Sequence, residues 1–86
     1  MHYFLARNFE KEFKKLPKKI KGKAIEQFEI FIVDPMDPRL NNHALVGEWI
    51  GHRSINITSD IRALYKIVDG NVARFVTIGS HSELYE

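Results

Sequence analysis

The thirteen residues from Ser54 to Lys66, SINITSDIRALYK, decide how this chain is built. Ser54 to Thr58 alternates polar and apolar side chains, which predicts a strand with one buried face. A second strand is predicted beyond Ser59-Asp60, residues that suit a tight connection between antiparallel strands. Working outward, the candidates become Arg53 to Thr58, Arg62 to Val68 and Val72 to Ile78, with Asp69-Gly70-Asn71 as the second hairpin connection. Glu48 to Ile50 and a break at Gly51 precede them, and a Gly79-Ser80-His81 turn closes the chain behind them. Ile55 and Ile57 are expected to face a core, which puts Ser54, Asn56 and Thr58 on an open face. Arg62 and Lys66 would share that face and would carry Leu64 out with them. The last strand conflicts with simple alternation, because Arg74 outward would also expose Val76 and Ile78.

Towards the N-terminus the period changes. Tyr3 to Leu5 is a short strand candidate. Asn8 is placed to cap a helix whose apolar positions Phe9, Phe13 and Leu16 recur at helical spacing. Pro17 ends that helix and suits the start of another from about Lys18, with Ile20, Ala24, Phe28 and Phe31 as its buried stripe. Asp34-Pro35 stops it, since the residue before proline is pushed out of the helical region. From Pro35 to Gly47 the composition is that of a long loop, a kind of segment that tends to carry function. The expected fold is α+β: an N-terminal strand, a two-helix antiparallel hairpin, then an antiparallel β-meander of three or four strands packed on the helices.

With 86 residues, the chain is expected to form a single domain over 1–86 with a modest core. It has no cysteine, which removes disulfides and thiolate metal sites and is compatible with a reducing cytoplasm. No signal peptide and no membrane-spanning run is expected. Eight basic residues, Arg7, Lys11, Lys14, Lys15, Lys18, Lys19, Lys21 and Lys23, stand against Glu10 and Glu12 in a chain of net charge +2, so the remainder is net acidic. Such a basic third fits either a polyanion footprint or a solvated helical face.

The chain also holds side chains suited to phosphate chemistry on RNA. Attack of a ribose 2′-OH on the neighbouring phosphate needs a base, an acid for the leaving 5′ oxygen, and a cation for the charge that builds on phosphorus-bound oxygens. Histidine is the side chain whose ordinary pKa lies nearest neutrality, and guanidinium suits two-point contact with phosphate. His81, His43 and Arg62 are candidates for these tasks. Asp60 is placed to orient or tune a histidine, or simply to hold its own turn. Tyr85 suits base stacking or proton handling, or packing over a core edge; Trp49 suits core, rim or base stacking. His2 and His52 have no pattern behind them.

The run HALVGEWIGHRSINITSDIRALYKIVDGNVARFVTIGSHSELY resembles the RelE/YafQ branch of bacterial type II toxins, within the RelE/ParE superfamily. The resemblance rests on His43, Leu45 and Gly47; Arg53 and Ser54; Asp60, Arg62 and Tyr65; and Gly79, His81 and Tyr85, in that order. It implies a metal-independent endoribonuclease without cofactor, an mRNA interferase acting at the ribosomal A site and neutralised by a cognate antitoxin. It implies a cytoplasmic protein with no membrane partner, and DNA met only through the antitoxin. Carried over, His43, Asp60, His81 and Tyr85 match catalytic positions and Arg62 a phosphate-binding one. Asn56, Arg53, Lys14, Lys15, Lys18 and Lys19 are further candidates for holding RNA. One departure is Asn56, where the YafQ type has a strand histidine. Two other classes fit parts of the pattern: a ParE-like gyrase inhibitor, which would not need the His43, Asp60 and His81 set, and a noncatalytic RNA-binding or antitoxin-binding module. A metal hydrolase finds little support, as no close-spaced ligand pair such as H-x-x-x-H occurs.

Overall fold

A computed structural model describes residues 1–85. In chain order the elements are β1 (His2–Leu5), α1 (Arg7–Lys14), α2 (Lys18–Val33), β2 (His43–Ala44), β3 (Arg53–Asn56), β4 (Ile61–Asp69), β5 (Val72–Ser80) and α3 (His81–Tyr85), with 3-10 turns at Pro38–Leu40 and Gly47–Trp49. The strands form one sheet in the order β1-β5-β4-β3-β2. From β2 to β5 it is the expected antiparallel meander, and β1 joins the outside of β5 in parallel.

Both helices lie where the apolar spacing puts them, and α2 starts at Lys18 as expected, but the start of α1 differs from expectation. Asn8 is no cap: helix α1 begins at Arg7, and the Asn8 amide instead reaches towards the Val76 carbonyl at 3.4 Å. The reason is the strand before it. Ala6 N–H continues the ladder to the Phe75 carbonyl at 2.8 Å, so the chain passes from strand to helix with no room for a capping residue. Pro17 is the residue just before α2, and its carbonyl takes the Lys21 N–H at 3.0 Å. A missing N–H costs nothing there.

The core lies between the helices and one face of the sheet. Phe9, Ala24, Phe28 and Phe31 pack on Ile55, Ala63, Tyr65, Ala73, Phe75 and Ile78. Phe75 is its centre, edge-on or tilted to Tyr3, Phe9, Phe28, Phe31 and Tyr65. The awkward alternation of the last strand is resolved by a β-bulge. Register shifts between Leu64 and Tyr65, so that Leu64 pairs with Thr77 and Tyr65 with Phe75. The extra residue, Val76, reverses the parity of β5. Arg74 therefore faces outward while Ile78, 2% exposed, returns to the core.

The long loop is pinned rather than free. Leu40 is fully buried. Asn42 donates to the Pro35 carbonyl and the Tyr65 hydroxyl and accepts from Arg53 Nε at 2.8 Å. This network delivers β2 to the edge of β3, where Ala44 pairs with Arg53. The segment before Gly51 forms the 3-10 turn Gly47–Trp49, and the fourth strand of the meander is His43–Ala44. Past β2 the edge of β3 is closed by a side chain. Buried Gln27 donates from Nε2 to the Asn56 carbonyl at 2.9 Å and to the Arg39 carbonyl at 3.1 Å, satisfying groups that a further strand would have taken.

Candidate catalytic face

Because cross-strand partners share a face, the register fixes what stands on the side of the sheet away from the helices. One row runs His43, Ser54, Leu64, Thr77, and the next runs Asn56, Arg62, Gly79. Ser54 and Leu64 were expected in the open, yet both are fully buried. Helix α3 folds back over this face. A Cβ at Gly79 would stand 3.6 Å from Leu84 Cδ2, and the Trp49 indole N–H donates to the Leu84 carbonyl at 3.1 Å. Gly47 and Gly51, at φ +69° and +91°, give the Trp49 turn backbone angles that other residues rarely adopt.

Helix α3 begins with a capping box that also places the candidate general acid or base. Ser80 Oγ takes the Glu83 N–H at 3.2 Å, and Glu83 Oε1 takes the Ser80 N–H at 2.8 Å, a reciprocal pairing of Ser with Glu three residues on. The Ser80 backbone N–H, helped by its hydroxyl, holds the Glu83 carboxyl below its ordinary value. The first helical residue is His81, whose backbone N–H donates to the Asp60 carbonyl at 2.9 Å. Tyr85 lies one turn on, with its ring 4.6 Å from the His81 ring at 64°.

The structure therefore brings His81, Tyr85 and the β3–β4 turn together, with His43 and Asn56 on the same face. His43 Nδ1 lies 2.9 Å from the Asn41 carbonyl. A carbonyl only accepts, so the contact is a hydrogen bond when Nδ1 carries a proton. Asp60 touches His81 through its main chain, while its carboxylate takes no hydrogen bond among the described residues. Arg62 Nη1 donates to the Ser59 carbonyl at 2.8 Å and the Thr58 carbonyl at 3.1 Å, across the turn. Its Nε and Nη2 take no protein partner among the described residues, leaving donors for an anion.

Other candidates stand apart. Arg53 pairs with core-facing Tyr65 and spends Nε on Asn42, so it serves the loop on the opposite face. Lys14, Lys15, Lys18 and Lys19 form an exposed basic corner between α1 and α2. The basic stretch reaches the turn through Lys23, which shares a cavity of about 440 Å³ with Arg39, Asn56, Thr58 and Ser59.

His52, which had no sequence pattern behind it, also marks this face, together with Ser54 and the candidates Asn56 and Tyr85. His52 Nδ1, Ser54 Oγ, Asn56 Oδ1 and the Tyr85 hydroxyl are buried without a hydrogen-bond partner among the described residues. Ser54 and Asn56 alternate along β3 and so share one side, and His52 directly precedes that strand. Buried polar atoms are normally paired, and an unpaired row beside two histidines and an arginine marks a polar site. Among the described residues no cluster of histidine and carboxylate side chains is arranged to hold a metal ion, and no helix is long and apolar enough to cross a membrane.

Comparison with known proteins points the same way. A family model described as the YafQ bacterial toxin of type II toxin-antitoxin systems matches residues 1–86. The structure of YafQ from E. coli strain BL21(DE3) superposes with a TM-score of 0.78 at 22% identity, over 98% of this chain and 97% of that one. YafQ in the E. coli DinJ-YafQ toxin-antitoxin complex gives a TM-score of 0.75 at 23% identity, covering 98% of this chain and 96% of that one. The Mycobacterium tuberculosis toxin-antitoxin complex RelBE2 gives 0.76 at 21%, covering 93% and 96%. A search of the curated proteins returns no match.

Proposed function

The chain belongs to the YafQ family of bacterial type II toxins, and we propose that it is a metal-independent endoribonuclease that cleaves mRNA at the ribosome and is silenced by a cognate antitoxin. The observation that carries this reading is one polar sheet face that gathers His43, Arg62 and His81 beside unpaired buried polar atoms. The antitoxin follows from the DinJ-YafQ and RelBE2 complexes of similar fold.

In the proposed reaction the 2′-OH attacks the adjacent phosphorus. The O2′–P bond forms, the P–O5′ bond breaks, and the products are a 2′,3′-cyclic phosphate and a 5′-hydroxyl end. His43 and His81 divide the proton work: one takes the 2′-OH proton and the other protonates the leaving O5′. Arg62 meets the charge on the non-bridging oxygens with its free donors. Asp60 positions His81 through its carbonyl, Tyr85 buttresses that imidazole and offers a stacking ring, and Asn56 orients the substrate, since an amide exchanges no proton near neutrality. The lysines at the α1–α2 corner supply affinity by releasing counterions from RNA.

Expression of the protein should arrest growth and shorten mRNA. In vitro, cleavage should persist in EDTA and vanish with a single 2′-deoxy substitution at the scissile nucleotide. Chelator-sensitive cleavage, undiminished cleavage of the deoxy substrate, or gyrase poisoning without RNA cleavage would each overturn the reading.

A further inference from the structure

We infer that the cavity between the Trp49 turn and α3 seats a nucleobase of the RNA, and that Glu48 selects bases carrying an exocyclic amino group. This rests on the RNA-cleavage reading above and names the specificity of that same site. The cavity, about 330 Å³, is lined by Val46, Gly47, Glu48, Trp49, Leu84 and Tyr85. Tyr85 is the link to the chemistry, because it forms part of this wall while its ring lies 4.6 Å from that of His81. A base seated here is separated from a proton-transfer group by one side chain.

The walls suit a flat aromatic ligand read along one edge. The Trp49 N–H is spent on the Leu84 carbonyl and the ring meets His52 edge-on at 5.3 Å, so the indole is held in one orientation and has only π surface to offer. Val46 is 84% exposed, an apolar rim of the kind that a base would cover. Tyr85 adds a buried hydroxyl without a partner among the described residues. Glu48 is the one charged group of the lining among the described residues. A carboxylate is misplaced for binding phosphate, but it is an acceptor for the amino groups of adenine, cytosine or guanine. On uracil the imide N–H lies between two carbonyl oxygens, which a carboxylate repels.

The test uses a property of the sequence: Trp49 is the sole tryptophan, so intrinsic fluorescence reports on this cavity. The full chain is titrated with 2′-O-methyl trinucleotides of A, C, G or U, whose blocked 2′ oxygens prevent cleavage. Quenching should saturate at about tenfold lower concentration for the amino-bearing bases than for U, as expected for one charge-assisted hydrogen bond. Glu48→Gln should shrink that ratio to about twofold, because an amide both donates and accepts. In parallel, Glu48→Gln should flatten the base preference of cleavage while leaving its sensitivity to 2′-deoxy substitution intact. Equal quenching by all four bases, no quenching, or a response only to antitoxin peptides would overturn the inference. Base-selective quenching without any cleavage would leave the cavity standing and sink the nuclease reading. Cleavage without base selection would do the reverse.

Discussion

The two faces of the sheet solve opposite problems. On the helix side, Phe9, Phe28, Phe31, Tyr65 and Phe75 interlock, and the polar groups that enter are answered: the Tyr65 hydroxyl by Asn42, the Asn56 carbonyl by Gln27. On the other side Ser54, Asn56 and Tyr85 bury polar atoms that nothing among the described residues answers. Apolar burial stabilises the first face at roughly 25 cal/mol per Å² removed from water, whereas each unpaired buried polar atom on the second costs about 1–3 kcal/mol. The difference teaches that the fold's stability is concentrated on one side, which lets the other keep the polar groups that the proposed reaction would use.

The sharpest way to break this contrast is to attack each face at its centre. His81→Ala should slow single-turnover cleavage by about 10² to 10⁴-fold with little change in the urea midpoint. Phe75→Ala should cost about 3–5 kcal/mol of stability, read from the urea transition. If His81→Ala unfolds the protein as Phe75→Ala does, the two faces are not separate in function.

Next comes the seam where the faces meet. Gln27→Leu keeps the volume but strips donors from the Asn56 and Arg39 carbonyls, and should cost about 1–3 kcal/mol without altering the cleavage rate of the folded fraction. An unchanged midpoint would mean that solvent serves that strand edge equally well.

Smaller effects sharpen the polar side. Asn56→Ala should slow cleavage about tenfold or less, the worth of one neutral hydrogen bond, and Asn56→His should be tolerated or raise activity. Ser54→Ala should lose no stability, because its hydroxyl has no partner to lose, yet should slow cleavage by a few-fold if that atom meets the substrate, an estimate on the scale of one hydrogen bond. Losses for Asn56→Ala as large as for His81→Ala would reassign the proton-transfer groups.

The smallest effect concerns α3. The Glu83 carboxyl is held below its ordinary 4.5 first by the Ser80 backbone N–H. A lowered folded-state value means that its support is complete above the unfolded value and is lost as pH falls through the lowered one. The Ser80 backbone amide signal in NMR, which reports on the carboxylate it donates to, should therefore show its Glu83-linked step in acid. Glu83→Gln should abolish that acid step and change cleavage at neutral pH by no more than about two- to threefold, since the amide oxygen still accepts.

Much of the site was legible because its elements are local. The alternation from Ser54 to Thr58, the Asp-Gly turn and the order of His43, Asp60, Arg62 and His81 are all visible in one dimension. Helix α3 was legible too and was passed over: Ser80-His81-Ser82-Glu83 is an S-x-x-E capping box, read as a plain turn because only five residues follow the cap's start as helix. Arg53 was a candidate for holding RNA, and its place in the loop network was not legible, because strand parity alone does not say which neighbour will take a hydrogen bond from a long side chain. Asn42 claims it, from eleven residues away.

What the amino-acid order determined by itself is the period of each segment: 3.6 in Phe9 to Phe31, 2 in Ser54 to Thr58, and the breaks at Pro17, Pro35 and Gly70. Those follow from backbone sterics and from which side chains avoid water, and both act between near neighbours. Only the tertiary structure decided that β1 lies parallel beside β5, that a bulge at Val76 returns Ile78 to the core, and that two residues, His43–Ala44, form a strand. A two-residue strand has no period to read, and a bulge is favoured only when the packing of both faces is weighed together. Covering Ser54 and Leu64 depends in the same way on α3 folding back across the sheet, a contact between segments whose meeting no local pattern encodes.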